Sequence, residues 1–352
     1  MADRPGEQGL GKVSVILPVH NGREFVATSV PSACGLPAVA QVIAVDDGST
    51  DGTPDVLRDL AAENPKLTVL ADAGQPNRGA SHARNLGVRV ARTEYVAFLD
   101  VDDWYLPNRF DVDVPMLDAD TDLAGVYGAV RVTHETAGDV PTEDDSVSRP
   151  DAVAPEELFS HMLLGGGVPF CTPSITLRRS VLERYGMFEE HLALSQDTEL
   201  WLRLAAVCRL AAGSVDEPVA MVRRHGTNRS RLENPAYRGA GVQCWLSVLR
   251  WVRARRLGTW YERRLRRALA LAVFGRRPPG RPLRAMAEIL GRAGRCVLAE
   301  PAAMPHLVVV ALRRLLGLPL VPLGLKTGRT PTLEDIACAD ENGPPPKLGQ
   351  LL

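Results

Sequence analysis

Over its first hundred residues the chain alternates short apolar runs with stretches of helical periodicity. Val13-Ser-Val-Ile-Leu17 is a β-branched run ending at Pro18, the pattern of a buried parallel strand. Glu24 to Ala33 reads as a helix and Val39 to Val45 as a second strand. The loop Asp46-Asp-Gly-Ser-Thr-Asp-Gly-Thr53 leads to a helix near Pro54 to Glu63, with Asp51 or Thr53 available as its cap. Leu67 to Leu70 is a third strand, Ser81 to Arg92 a helix and Tyr95 to Leu99 a fourth strand. This alternation predicts an α/β fold, a mostly parallel sheet with helices on both faces. Ligands of such sheets bind beyond the carboxyl ends of the strands.

The alternation then loosens. Val126 to Val132 is predicted as a strand, and the acid-rich stretch from Thr133 to Pro155 as a surface loop or flap. Glu156 to Leu164 is helical, Gly165-Gly-Gly167 a hinge, Ser174 to Leu177 a strand and Thr198 to Ala206 a helix. After about Asn234 the texture changes to Arg-rich amphipathic helices, broken at Arg276-Arg-Pro-Pro-Gly280. The last dozen residues, with Pro344-Pro-Pro346, have the composition of a disordered tail. Four pieces are predicted: a flexible N-terminus over 1–9, a main domain over 10–232, a basic helical domain over 233–330 and a mostly disordered tail over 331–352.

Charge sharpens the last boundary. The 352 residues sum to −1, yet 18 Lys/Arg between Arg250 and Arg329 face only Glu262, Glu288 and Glu300. The rest of the chain holds 23 basic and 39 acidic residues, so the two pieces differ electrostatically. The six cysteines (Cys34, Cys171, Cys208, Cys244, Cys296, Cys338) form no CxxC pair. That spacing argues against a structural zinc site or a disulfide framework and fits a reducing compartment. Met1 to Gly11 is polar and contains acids, unlike a signal peptide. The most apolar stretch, Leu307 to Leu325, carries Arg313 and Arg314 at its centre, which disfavours a spanning helix. A cytoplasmic protein is expected.

Two acidic clusters carry the candidate chemistry. Asp100-Val-Asp-Asp103 follows the strand Tyr95 to Leu99 directly. Carboxylates gathered at the end of a buried strand repel one another and are costly to desolvate. A divalent cation offsets that cost, and Mg²⁺ or Mn²⁺ is usually held by one or two carboxylates plus phosphate oxygens. An Asp-rich turn capping a helix accounts for the same four residues. The second cluster, Asp46-Asp-Gly-Ser-Thr-Asp51, ends the second strand, so both loops should emerge at one edge of a parallel sheet. A carboxylate there can accept from a base N–H or ribose hydroxyls. It also makes a good turn and helix cap.

With these clusters in place, residues 13 to about 230 resemble the family 2 glycosyltransferases of the GT-A fold. The matching pieces are Val13-Ser-Val-Ile-Leu-Pro-Val-His-Asn-Gly22, Val45-Asp-Asp-Gly-Ser-Thr-Asp51, Asn77-Arg-Gly-Ala-Ser-His-Ala-Arg-Asn-Leu-Gly87 and Phe98-Leu-Asp-Val-Asp-Asp103. The resemblance implies an inverting, non-processive transferase that moves a sugar from a nucleotide-diphosphate sugar, a UDP-sugar foremost, with Mn²⁺ or Mg²⁺ as cofactor. Pro18, His20 and Asn21 would line the nucleotide pocket, His20 standing where the family commonly has Tyr, and Asp47 would bond the base. Asn77 and Gly79 would shape the donor loop. Asp100 and Asp102 would be the DxD-type pair, Asp102 on the metal and Asp103 behind them. Arg84 would offset donor charge or pair with a nearby acid.

Further along, Ser195-Gln-Asp-Thr-Glu-Leu-Trp-Leu-Arg203 looks like the family's Glu-Asp-x-x-Leu-Trp-x-Arg segment, with Gln196 for Glu. Asp197 then aligns with the carboxylate that activates the acceptor, in the first turn of a helix where an anion is favoured. His225, in Arg223-Arg-His-Gly226, would be a further metal ligand or phosphate contact. The acceptor is left open between a glycan, a lipid-linked sugar and a small molecule. The basic helices over 250–329 either pack on the catalytic domain or lie on an anionic membrane, with Trp245, Trp251 and Trp260 among their apolar positions. No nucleic-acid reader motif is present. Two rival functions keep the same residues: an inactive nucleotide-sugar-binding scaffold, and a nucleotidyltransferase, for which the Gly-rich, Lys-bearing loop is lacking.

Overall fold

The computed structural model describes residues 11–71, 77–134, 146–150, 152–163, 168–225, 235–274, 293, 296–304 and 307. The chain forms two compact units: residues 1–155, 168–191 and 208–228 in the first, and 156–167, 192–207 and 229–352 in the second. Two segments that precede residue 232 in sequence therefore belong with the C-terminal helices. The Gly165–Gly167 hinge, the break at 276–280 and the tail over 331–352 lie outside the described residues, as does nearly all of 275–329.

The first unit opens with the predicted alternation: β1 (Val13–Val19), α1 (Val26–Cys34), β2 (Val39–Asp46), α2 (Thr53–Glu63), β3 (Leu67–Ala71), α3 (Ala80–Val90) and β4 (Tyr95–Phe98). It continues through β5 (Trp104–Tyr105), α4 (Asp113–Ala119), β6 (Leu123–Tyr127), β7 (Val130–His134) and β8 (Ser146–Ser148). After α5 (Leu158–Leu163), which belongs to the second unit, come β9 (Ile175–Arg178) and α6 (Arg179–Tyr185). Next in the chain is α7 (Gln196–Val207), again of the second unit, and then β10 (Arg209–Ala212) and β11 (Ala220–Arg224).

Seven strands form the main sheet in the order β10-β6-β9-β4-β1-β2-β3, all parallel except β9, which runs antiparallel to both neighbours. All seven residues of β1 are buried, which is why its sequence shows no polar alternation. The core of this unit gathers Val13, Val15 and Leu17 of β1 with Val30, Val42, Leu57, Leu99 and Leu117. Each fully buried aliphatic side chain of this kind contributes about 1.5–3 kcal/mol.

Two expectations are corrected. The single strand over Val126 to Val132 is two strands, β6 and β7, in different sheets. The break falls at Gly128 and Ala129, whose backbone N–H groups donate to Ser174 and Ser214 instead of a ladder. The acid-rich stretch after Thr133 is not wholly loop: β7 runs on to His134, and β8 pairs with it antiparallel. An acidic composition hides strands whose outer face is solvated. Residues 135–145 of that stretch are outside the described residues.

The second sheet, β5-β11-β7-β8, is small but decides the site. β11 runs antiparallel to β5, pairing Ala220 with Tyr105 and Met221 with Trp104. The residues that follow β11 are thereby carried past those that precede β5.

In the second unit, α8 (Pro235–Ala254) and α9 (Thr259–Phe274) pack as a hairpin, and α7 packs on α8. Glu199 and Arg203 of α7 form a buried pair at 2.8 Å, and the hydroxyl of Ser247 on α8 donates to Glu199 at 2.9 Å. A second core joins Val242, Leu246, Leu269, Ala270, Cys296 and Leu307. No helix among the described residues is long and apolar enough to cross a membrane.

Candidate active site

β1, β2 and β4 are neighbours and parallel, so their carboxyl ends open on one edge, as the two acidic loops require. The β1–β4 ladder stops at Ile16 and Phe98, while β1–β2 continues to Val19 and Asp46. The chains part there, and Pro18, buried and without an N–H, sits just beyond the last β4 pair. The loop after β1 lies close against the DVDD turn: a Cβ on Gly22 would come within 2.7 Å of Val101 Cγ2.

Around that opening the β1 and β2 loops are tied together. His20 Nδ1 lies 2.9 Å from the Asp47 carbonyl oxygen. That oxygen only accepts, so Nδ1 carries the proton and Nε2 is left to accept from the Asn21 amide at 3.3 Å. Asn21, at φ 51°, donates its backbone N–H to Ser49 Oγ at 2.8 Å, and its Oδ1 accepts from the Thr50 N–H at 2.8 Å. Asp51 accepts from the Thr53 N–H at 3.1 Å and from the Arg23 N–H at 3.2 Å, which makes Asp51 the anchor at the start of α2.

Asp47 reaches the other way. Its Oδ1 accepts from the Arg78 N–H at 2.9 Å and its Oδ2 from the Gly79 N–H at 2.6 Å. Gly79, at φ 98°, takes a backbone conformation only glycine adopts easily, and it starts α3. The Asp47 side chain is buried, with one lone pair on each oxygen already used. Asn77 is exposed beside this junction. The base-binding expectation for Asp47 thus meets a carboxylate with a structural task as well; its remaining lone pairs can still accept.

The DVDD turn is charged against its surroundings. Arg84, buried on α3, donates to Asp100 at 2.5 Å and lies 5.2 Å over the Phe188 ring. This is the local acid partner allowed for from sequence. Asp102 Oδ2 accepts from His225 Nε2 at 3.0 Å, the contact that the antiparallel β5–β11 pairing dictates. Asp103, buried, accepts from the Arg223 N–H at 2.9 Å. Burial raises the pKa of Asp102, aided by the Asp100 charge, and burial raises Asp103 further with both neighbours adding to it. Three acids so placed favour a cation beside them.

Asp102 and His225 are the candidate metal ligands that the structure brings together. No group of three or more His, Cys, Asp or Glu able to hold a metal occurs among the described residues. Asp102 and His225, 3.0 Å apart, are ligands of the type that hold Mg²⁺ or Mn²⁺ when phosphate oxygens complete the shell.

Asp197 lies in the first turn of α7, half-buried, its Oδ1 accepting from the Thr198 N–H at 2.7 Å. α7 belongs to the second unit and the DVDD turn to the first. Sequence reasoning missed one network of the first unit altogether. Glu190 accepts from the Asn85 amide at 2.9 Å and from His82 Nδ1 at 3.1 Å, and Asn85 also holds the Phe188 backbone in both directions. The Phe188 ring stands edge-on to Phe98, two residues before Asp100. A glutamate in a polar loop carries no periodicity, so only its spacing after the buried Phe188 could have marked it.

Residues 14–186 match the sequence profile described as Glycosyl transferase family 2. That match covers 173 of the 352 residues, and over them the chain is similar to that family. It is 35% identical over 136 residues to the uncharacterized glycosyltransferase YibD of Escherichia coli (strain K12), covering 38% of this chain and 39% of that protein. It is 27% identical over 207 residues to the succinoglycan biosynthesis protein ExoU of Rhizobium meliloti (strain 1021), covering 55% and 57%. The chain thus spans well under two thirds of these relatives. Among solved structures, residues 1–349 of S. aureus TarS in complex with UDP-GlcNAc superpose with a TM-score of 0.63 at 18% identity, over 87% of this chain and 86% of that one. At that identity the likeness shows the fold alone, which is GT-A.

Proposed function

We propose that the chain transfers a sugar from a nucleotide-diphosphate sugar to an acceptor hydroxyl, with metal assistance and inversion. The carrying observation is the convergence of Asp47 with the 77–79 loop, and of Asp102 with His225, at one sheet edge. The TarS structure with UDP-GlcNAc supports a UDP-sugar as the first donor to try.

In this reading Pro18 and His20 flank the base, and the free lone pairs of Asp47 accept its N–H. Asn77 and Gly79 hold the donor loop, and Asp100, oriented by Arg84, faces the ribose. Asp102 and His225 would hold Mn²⁺ or Mg²⁺, which when bound neutralises charge on the departing diphosphate. For that, Nε2 of His225 would be the unprotonated nitrogen of a neutral ring, with the proton on Nδ1. Asp197 removes the proton of the acceptor hydroxyl as its oxygen attacks the anomeric carbon. One displacement forms the new glycosidic bond, breaks the bond to the diphosphate and inverts the centre.

A panel of nucleotide-sugars with Mn²⁺, read by donor hydrolysis and thermal shift, tests the reading. One donor should stabilise the chain and be slowly hydrolysed only when metal is present. Silence across UDP-, GDP-, ADP-, CDP- and dTDP-sugars would remove it.

A further inference from the structure

The end of the α8–α9 hairpin carries a feature that sugar transfer does not use. α8 closes by two bonds, from the Arg256 N–H to the Arg253 carbonyl at 3.0 Å and from the Leu257 N–H to the Val252 carbonyl at 3.1 Å. This is a Schellman termination, whose left-handed residue is usually glycine. Here that residue is Arg256, at φ 55°, with Gly258 following at φ 106°. An arginine held in a conformation costly to any residue with a Cβ keeps its exposed charge at the very tip of the hairpin.

Its neighbours extend the charge. Arg250, one turn before the tip, and Arg263, one turn after it, are also exposed. None of the three meets an acid among the described residues. The acids nearby are engaged elsewhere: Glu262 and Glu300 bond Arg253 and Arg266. Two half-buried tryptophans flank the tip, with Arg255 stacked 4.9 Å over Trp251 and Arg264 stacked 3.6 Å over Trp260.

We infer that the α8–α9 tip is a docking surface for an anionic phospholipid membrane. Guanidinium groups bind phosphates through paired N–H donors, and tryptophans with one side buried suit the headgroup layer. Nucleic acid is the lesser fit, because base stacking needs a bare aromatic face and these two rings are covered by arginine. The inference does not depend on the donor or on the reaction.

The test is co-sedimentation of the full chain with vesicles of phosphatidylcholine, with and without phosphatidylglycerol. Binding should require the anionic lipid and fade as salt shortens the Debye length from about 10 Å at 0.1 M to about 3 Å at 1 M. The variant R250Q/R256G/R263Q should lose partition on the order of a hundredfold, about fivefold for each arginine removed from the surface. Because glycine is at ease where Arg256 sits, the melting temperature should hold or rise, separating docking from folding. Equal sedimentation of the variant, equal binding to neutral vesicles, or tighter binding to single-stranded RNA than to anionic vesicles at the same salt would each overturn the inference.

Discussion

Gly79 donates its backbone N–H to the buried carboxylate of Asp47 across 2.6 Å, joining the end of β2 to the start of α3. With the Arg78 bond at 2.9 Å, one side chain holds the backbone of residues 78 and 79. Asp47→Ala removes both bonds and strands two N–H groups. Hydrogen bonds to a charged group are worth about 1.5–3 kcal/mol each. The expected outcome is a lower melting temperature together with a loss of nucleotide affinity of about tenfold or more. Thermal denaturation with and without UDP reads both, and an unchanged ligand-induced shift would deny Asp47 its part in the site.

Asp197→Asn should leave donor binding intact, since the proposed role of Asp197 is toward the acceptor hydroxyl and not toward the nucleotide. Turnover should fall by roughly 10²-fold or more, the scale of general-base catalysis lost. The measurement is initial rate at saturating donor beside donor Kd. A near-normal rate with the true acceptor would assign the proton transfer to another group.

Glu190 has a pKa held below its ordinary value of 4.5, chiefly by the Asn85 amide and then by His82. A carboxyl with a depressed folded pKa stabilises the fold above its unfolded value, and that contribution is lost as pH falls through the folded one. Glu190→Gln should therefore melt below wild type at pH 7, with the gap closing below about pH 4.5. Melting curves across pH 3–7 check this. A gap that stays constant would mean that packing, not charge, is what Glu190 supplies.

How much of this was legible beforehand depended on the kind of signal. β1, β2 and β4 are continuous apolar runs ending at Pro18 or at acids, so strands, loops and their shared edge could be read directly. β6 and β7 could not be separated, because the break at Gly128 and Ala129 is satisfied by distant carbonyls of Ser174 and Ser214. β9 runs antiparallel, and nothing in Ile175-Thr-Leu-Arg178 states direction. At the site, Asp100, Asp102 and His225 were named from motif, but the Asp102–His225 contact follows from pairing between β5 and β11. Two strands more than a hundred residues apart show no sequence sign of meeting. Arg84 was left between two roles, and its bond to Asp100 resolves its resting partner.

In the proposed reading, Asp102 and His225 form a metal-dependent seat for the donor diphosphate. Calorimetric titration of UDP into the chain with and without Mn²⁺, repeated on Asp102→Asn, tests it most directly. A neutral amide neither balances the metal's charge nor matches a carboxylate as its ligand. Wild type should bind UDP at least about tenfold tighter with Mn²⁺, a difference of about 1.4 kcal/mol, and Asp102→Asn should lose that gain. Equal UDP affinity with and without metal in wild type, or an undiminished metal effect in Asp102→Asn, would mean that Asp102 holds no metal.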